Sequence, residues 1–430
     1  MAEAKQIRVP VLARVEGEGA LELTIRDGAI SEVRLRIYEP PRLFEKLLEG
    51  RSYAEVPDIV ARICGICPVA YQMSAVQALE NAFGVLVSEW VREMRRAMYC
   101  GEWIESHALH IHLLAAPDFL GADSVVALAA KHPDAVRRGL RLQALGNDII
   151  RLFGGRSVHP VGVCVGGFHR APRAADVAEL VDKLRAALPL AQELVQWTAG
   201  LPLPADSQPF VSVALRHPDE YGMYEGRIVS SDGLDIAVGD YEAHFREAQV
   251  LHSTALHSLL HDGDYLVGPI GRLNLNHANL PPPVREALDG AGIGVPSADM
   301  FHSIVARAVE IYLALWEAVR ILERYVPSDA PHTQVRPRAG IGAGATEAPR
   351  GLLWHGYETD ADGRIVRARI VPPTSQNQAR IEADLKASLE AYGLDRPDDE
   401  LRQRGEMIIR NYDPCISCAT HFLDLTVHRQ

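Results

Sequence analysis

The chain of 430 residues contains only six cysteines, far too few for a disulfide scaffold. No apolar stretch approaches the roughly 18 uninterrupted residues that cross a bilayer, so no membrane span is expected. The stretch Met1 to Ile7 lacks an apolar h-region and a cleavage site, which argues against export by its own signal and for a cytoplasmic location. Positive charge is in deficit. With 44 Lys and Arg against 56 Asp and Glu the net charge is −12, which argues against a phosphate-binding surface and against a nucleic-acid partner. Internal repeats and low-complexity tracts are also missing. What remains, 47% hydrophobic and 23% charged residues, is an ordinary globular composition and excludes a wholly disordered chain. At about 150 residues per domain the length allows two to three domains or one large unit.

The elements that are present favour the single unit. Leu21, Leu23 and Ile25 alternate, Asp27-Gly28 makes a hairpin turn, and Val33, Leu35 and Ile37 alternate again, so residues 7–37 read as β-structure. A second hairpin is expected over about 351–371, turning at Asp362-Gly363. Between them lies a helical core over about 54–326. Its clearest stripe is Phe301, Val305, Ala308, Tyr312, Leu315, Val319 and Leu322, and similar periodicity covers 54–82, 86–114, 174–199 and 242–261. The segments 200–209, 281–296 and 327–351 read as loops from their Pro and Gly content. The fold class is mainly α with small β-appendages (α+β).

Four of the six cysteines form two Cys-x-x-Cys pairs near opposite ends, Cys64/Cys67 and Cys415/Cys418. Two intervening residues let both sulfurs of a pair reach one ion, and Gly65 and Pro414 suit tight turns. Four thiolates would select a soft metal, zinc or an iron–sulfur cluster on ligand chemistry alone. Zinc ribbons close such pairs over tens of residues. Here the whole fold must bring them together, which loop-closure entropy permits because it grows only logarithmically. No βαβ pattern surrounds either pair, which disfavours a thioredoxin-like redox site.

Arg62-Ile63-Cys64-Gly65-Ile66-Cys67, together with Asp413-Pro414-Cys415-Ile416-Ser417-Cys418 and His421, resembles the two signatures of nickel–iron hydrogenase large subunits. Arg14-Val15-Glu16-Gly17, Arg42-Leu43-Phe44-Glu45, Gly155-Arg156 with His159-Pro160, Glu347-Ala348-Pro349-Arg350-Gly351 and Pro373-Thr374-Ser375-Gln376-Asn377 extend the likeness over nearly the whole chain. The short length and Cys-Ile-Ser-Cys look most like the cytoplasmic group linked to NAD(P) or another soluble carrier, sulfhydrogenase α subunits included. The resemblance implies a large helical-bundle core as one domain over 1–421. It implies reversible heterolysis of H2 at a nickel–iron centre whose iron carries carbonyl and cyanide. Cys64 and Cys415 would be terminal on nickel, and Cys67 and Cys418 would bridge to iron. Glu16 matches the proton-relay glutamate. Arg350 would stand over the metals as a fixed charge or donate to a cyanide, and Thr374 and Ser375 would offer hydroxyls to a second cyanide. Asp413 would pair with Arg350, while Glu45 and His421 would hold a separate magnesium or iron ion.

One departure stands out. Many membrane-bound members carry His-Asp-His on the helix after the first cysteine pair, but the stretch here reads Glu105-Ser106-His107, without the aspartate. Cys100 and Cys164 match nothing and read as small apolar core residues. Two leftover cysteines and no Gly-rich dinucleotide fingerprint leave the chain unable to wire an electron exit. The resemblance therefore implies an iron–sulfur small subunit and flavin or iron–sulfur NAD(P)-reactive subunits as partners. It also implies nickel-insertion proteins and a maturation endopeptidase, with 422–430 as a removable extension. The rival readings are a zinc-stabilised interaction protein and a non-catalytic relative acting as a scaffold subunit.

Overall fold

The computed structural model describes residues 5–420. Asp27 and Gly28, at φ 51° and 77°, close the expected tight hairpin. It joins β2 (Gly19–Arg26) to β3 (Ala29–Ile37), and β1 (Lys5–Val9) pairs antiparallel with the other side of β2, in register Lys5 with Ile25 through Val9 with Leu21. Ile7, Leu21, Leu23, Leu35 and Ile37 are buried. The free edge of β3 does not face water. Its Ile30 and Leu35 N–H groups donate to the Glu390 and Glu382 carboxylates at 2.9 and 2.8 Å, on the helix Pro373–Tyr392 that covers the edge.

The helical core is built on Glu89–Leu109, Pro133–Gly154 and Ser303–Leu322. Ser88 caps the first through its hydroxyl, which accepts the Val91 N–H at 3.3 Å. That helix crosses Pro133–Gly154 at a point where both chains are glycine. A Cβ on Gly146 would lie 2.4 Å from the Gly101 carbonyl oxygen, so the backbones meet because neither residue has a side chain. The first helix then widens into a π-helical turn, His110–Ala115, ahead of Pro117.

Several expectations are corrected. The stripe over 54–82 breaks into Val56–Val60 and Pro68–Phe83, and the break carries Cys64 and Cys67. The region 174–199 is two helices, Ala174–Arg185 and Leu188–Ala199, because Pro189 opens the second. Region 242–261 is not a helix: one turn, Tyr241–His244, gives way to the hairpin strands Phe245–Ala248 and His257–Leu260. Conversely, 281–296 contains the helix Pro282–Ala291, whose prolines sit in its first turn where no N–H is needed.

The expected loop 327–351 ends in a strand, Gly340–Ala348. It pairs with Gly351–Thr359, which pairs with Ile365–Val371, so the expected hairpin is a three-stranded sheet. Its glycines are not breakers. The strand lies against Pro68–Phe83 so closely that a Cβ on Gly342 or Gly344 would sit 2.1 Å from the Ala78 carbonyl oxygen or 2.4 Å from that of Ser74. Among the described residues no helix is long and apolar enough to cross a membrane.

Candidate metal centre

Both cysteine pairs sit where a helix is interrupted. Pro68 starts a helix immediately after Cys67, and its first N–H groups, of Val69 and Ala70, are taken by the Glu102 carboxylate at 2.6 and 3.0 Å. The turn before it aims the Ile66 and Cys67 N–H groups at the Cys64 sulfur, each at 3.3 Å. At the other end, the helix Asp398–Asn411 stops at Tyr412 and Asp413 turns the chain at φ 52°. Cys415 then precedes the single turn Ile416–Ala419, and Cys418 lies within it.

The Arg14–Gly17 segment brings the chain's beginning to this turn. Glu16 forms a parallel bridge with Cys415, and its carbonyl accepts the Ile416 N–H at 2.9 Å. Gly17, at φ +89°, must be glycine, since a Cβ would come within 2.7 Å of the Ile416 Cβ. Arg14 secures the contact. It donates to the Leu114 carbonyl at 2.6 Å and to Asp118 at 2.5 Å, while Asp118 also receives Arg410 at 2.7 and 2.9 Å.

The fold thus gathers Cys64, Cys67, Cys415 and Cys418 so that their sulfurs lie within 4.8 Å of one another, all buried. Cys64 is 3.5 Å from Cys415, Cys67 is 3.7 Å from Cys418, and no disulfide links them. Hydrogen bonds from the neighbouring thiols, Cys415 foremost, hold Cys64 well below the usual thiol pKa, whereas burial pushes Cys67, Cys415 and Cys418 up. Such a site resists charging four thiols at once without a cation among them.

Around the sulfurs stand the groups expected from the sequence. Glu16, half-buried, places Oε2 3.2 Å from the Cys415 sulfur and accepts the Ser417 N–H at 3.1 Å. The Ser417 hydroxyl continues to Glu39 Oε2 at 2.9 Å. Arg350 is 2% exposed and donates to the Asp413 carbonyl at 2.7 Å and carboxylate at 3.0 Å. Burial disfavours the Asp413 carboxylate, yet Arg350 holds its pKa below the usual value. Thr374 Oγ1 accepts the Cys415 N–H at 2.9 Å. Two buried polar atoms here have no protein partner among the described residues, Ser375 Oγ and Asp413 Oδ2.

Glu45 lies on the short helix Phe44–Leu48 and accepts the Ile370 N–H at 2.7 Å. Arg42 just before it donates its N–H to the Thr420 carbonyl at 2.7 Å, which ties this helix to Thr420. His421 itself, like the 422–430 extension, lies outside the described residues.

Sequence reasoning missed what holds Arg350. Arg272, fully buried, grips Glu310 through two bonds of 2.8 Å, and also donates to Glu347 at 3.1 Å and to the Ala348 and Pro349 carbonyls at 2.7 and 2.9 Å. Trp103 stacks under its guanidinium at 4.5 Å and binds the Glu347 carbonyl at 2.8 Å. Every residue leading into Arg350 is therefore anchored. Ser106 lies 3.5 Å from Arg350, and His107 binds Glu310 at 2.9 Å. Glu347 belongs to the motif Glu347–Gly351, but Arg272 carries no signal that sets it apart from other arginines.

A sequence model of the nickel-dependent hydrogenase family matches residues 42–139 and 267–421, more than half of the chain. The chain belongs to this family. Sulfhydrogenase 1 subunit alpha of Pyrococcus furiosus is 32% identical over 97% of this chain and 98% of its own. The NAD-reducing hydrogenase HoxS subunit beta of Cupriavidus necator is 28% identical over 98% and 95%. Among solved structures, an NAD+-reducing [NiFe]-hydrogenase in the H2-reduced state superposes with a TM-score of 0.88 at 26% identity, covering 97% of this chain and 99% of that one. The protein is a hydrogenase with the nickel–iron large-subunit fold, mixed α and β as expected.

The four sulfurs fit the nickel such a family requires. Thiolate suits it better than a carboxylate shell would, and the unpartnered Ser375 hydroxyl and the Arg350 guanidinium fit polar ligands carried by a neighbouring metal.

Proposed function

We propose that the chain is the catalytic subunit of a cytoplasmic hydrogenase that interconverts H2 with protons and electrons at a nickel–iron centre. The observation that carries this reading is the convergence of four buried thiols with Glu16 against the Cys415 sulfur and a buried Arg350, held on Asp413, whose charge acts on the thiols. A zinc clip or a scaffold subunit needs neither group. Cys64 and Cys415 would hold nickel terminally, and Cys67 and Cys418 would be shared with an iron bearing carbonyl and cyanide. When bound, the metal pair supplies a Lewis-acidic site at which H2 is polarised and its electrons are taken up.

The remaining work belongs to the chain. The Cys415 sulfur accepts the proton and passes it to Glu16 Oε2, 3.2 Å away. Ser417 and Glu39 extend that route outward, the hydroxyl donating at 2.9 Å. Arg350 cannot lose its proton, so it remains a fixed positive charge beside the thiols and would donate to one cyanide. The Ser375 hydroxyl would donate to the other, and Thr374 holds the Cys415 backbone in place. Glu45 and His421 would share a magnesium or iron ion.

Electrons must leave through other chains, because Cys100 and Cys164 are the only cysteines left. An iron–sulfur small subunit takes them first, and flavin and iron–sulfur subunits pass them to NAD(P) or another soluble acceptor. Nickel-insertion proteins would load residues 1–421 as one domain, and an endopeptidase would then remove 422–430. The test is metal analysis and infrared spectroscopy on the purified complex. Nickel and iron with carbonyl and cyanide bands, lost together in Cys415→Ser, are expected. Zinc alone, or full H2 turnover in that variant, would overturn the proposal.

A further inference from the structure

Outside the four cysteines, two groupings among the described residues place three candidate ligand atoms within 4.8 Å of one another. In the first, His217, Glu220 and Glu225, the positive charge is already supplied: Arg92 binds both glutamates and Arg96 binds Glu220. The second, His252, His257 and Glu382, has no such cation among the described residues.

Its members come from separate elements. His252 lies in the connection between the strands Phe245–Ala248 and His257–Leu260, His257 opens the second strand, and Glu382 sits midway along Pro373–Tyr392. His252 Nε2 lies 2.8 Å from Glu382 Oε1, and that same oxygen accepts the Leu35 N–H at 2.8 Å, which fixes the carboxylate's direction. The two imidazoles stand edge to face, with centroids 5.9 Å apart. An ordinary His–Glu hydrogen bond accounts for two of the three residues. It does not account for His257, which is only 5% exposed and whose Nε2 is buried with no partner among the described residues. Burial and the neighbouring His252 hold its pKa down to about 4, so at neutral pH it keeps the lone pair a ligand needs.

We propose that His252, His257 and Glu382 bind one divalent transition-metal ion, zinc being the best match, with a further position left to water. Two imidazoles and one carboxylate form a borderline donor set that suits zinc, whereas calcium and magnesium take oxygen shells and softer ions take sulfur. Zinc–ligand bonds of about 2.0–2.2 Å require the three atoms to close in slightly from their present spread. The ion ties the 245–260 hairpin to the helix whose first turn carries Thr374 and Ser375.

The test uses the purified complex, stripped with a mild chelator and titrated with zinc sulfate. One zinc per chain beyond nickel and iron is expected, bound at micromolar concentration or tighter. His257→Ala and Glu382→Gln should each lose that equivalent while keeping nickel, iron and H2 turnover. Absorption spectroscopy at the zinc edge should show nitrogen and oxygen ligands without sulfur. Equal zinc in wild type and both variants, no uptake at micromolar zinc, or sulfur in the zinc shell would each overturn the proposal. Glutamine preserves the acceptor for Leu35, so loss of zinc in Glu382→Gln is not a folding artefact.

Discussion

Glu16 shows how a single side chain acquires a role from its neighbours. Its backbone pairs with Cys415 and its carboxyl faces the same residue's sulfur, so Glu16→Gln keeps the shape and removes the proton acceptor. A positioned acid–base group contributes about 10²–10⁴-fold. H2 oxidation and H/D exchange should fall by at least about 10²-fold while nickel, iron and the infrared bands persist. Loss of the metals instead would make Glu16 a structural residue. Thr374 offers a contrast: Thr374→Val leaves the buried Cys415 N–H without an acceptor, at about 1–3 kcal/mol. Its signature should be a lower apparent Tm and poorer metal retention. At this scale the sequence was most legible where a motif has a fixed spacing. The cysteines, Glu16, Arg350 and Asp413 fall together in space, whereas Ser417's link to Glu39 and Ser106's approach to Arg350 depend on packing that no local pattern encodes.

Elements place Arg350 more firmly than its own bonds do. The helix Pro269–Asn276 contributes Arg272, and the helices Glu89–Leu109 and Ser303–Leu322 contribute Trp103, His107 and Glu310 to one buried network. Removing one partner of a buried pair strands the other, at about 3–5 kcal/mol. Arg272→Met should therefore lower the apparent Tm sharply and shift the cyanide stretches, because the Ala348 and Pro349 carbonyls lose their donor. Unshifted bands in a folded, metal-loaded variant would show that Arg350 is held without it. Such a network is opaque to sequence, since its members are far apart in the chain and none follows a periodicity. The strand Gly340–Ala348 escaped for a different reason. Glycine is usually a breaker, yet here its missing Cβ admits a helix against the sheet. A Gly344→Val change should disrupt this contact and cost solubility before activity can be assayed.

For the molecule as a whole, the buried charges set the response to acid. Glu310 is held at about 2 despite its burial, with Arg272 as the main offsetting partner. Burial lowers His107 to about 4, so the pair works as a carboxylate accepting from a neutral imidazole. Both folded pKa values lie below the ordinary ones, so both contributions are complete at neutral pH and vanish on acidification. The His107 contribution fades from about 6.5 to 4, and that of Glu310 from about 4.5 to 2. Glu347 and Asp384 run the other way. Burial raises them to about 7 and 6, so their contributions are largest in acid and are lost as pH rises through those values. Between about pH 4.5 and 6.5 the two raised carboxyls oppose the His107 loss, and below that range Glu310 and the last of the His107 contribution lower stability on further acidification. His107→Gln isolates one slope, because glutamine still donates to Glu310 but cannot take up a proton. At pH 5 the wild type should have lost on the order of 2 kcal/mol through His107 that the variant retains. Between pH 7 and pH 5 the apparent Tm should thus change more favourably in the variant than in the wild type, and an identical change would remove His107 from the acid response.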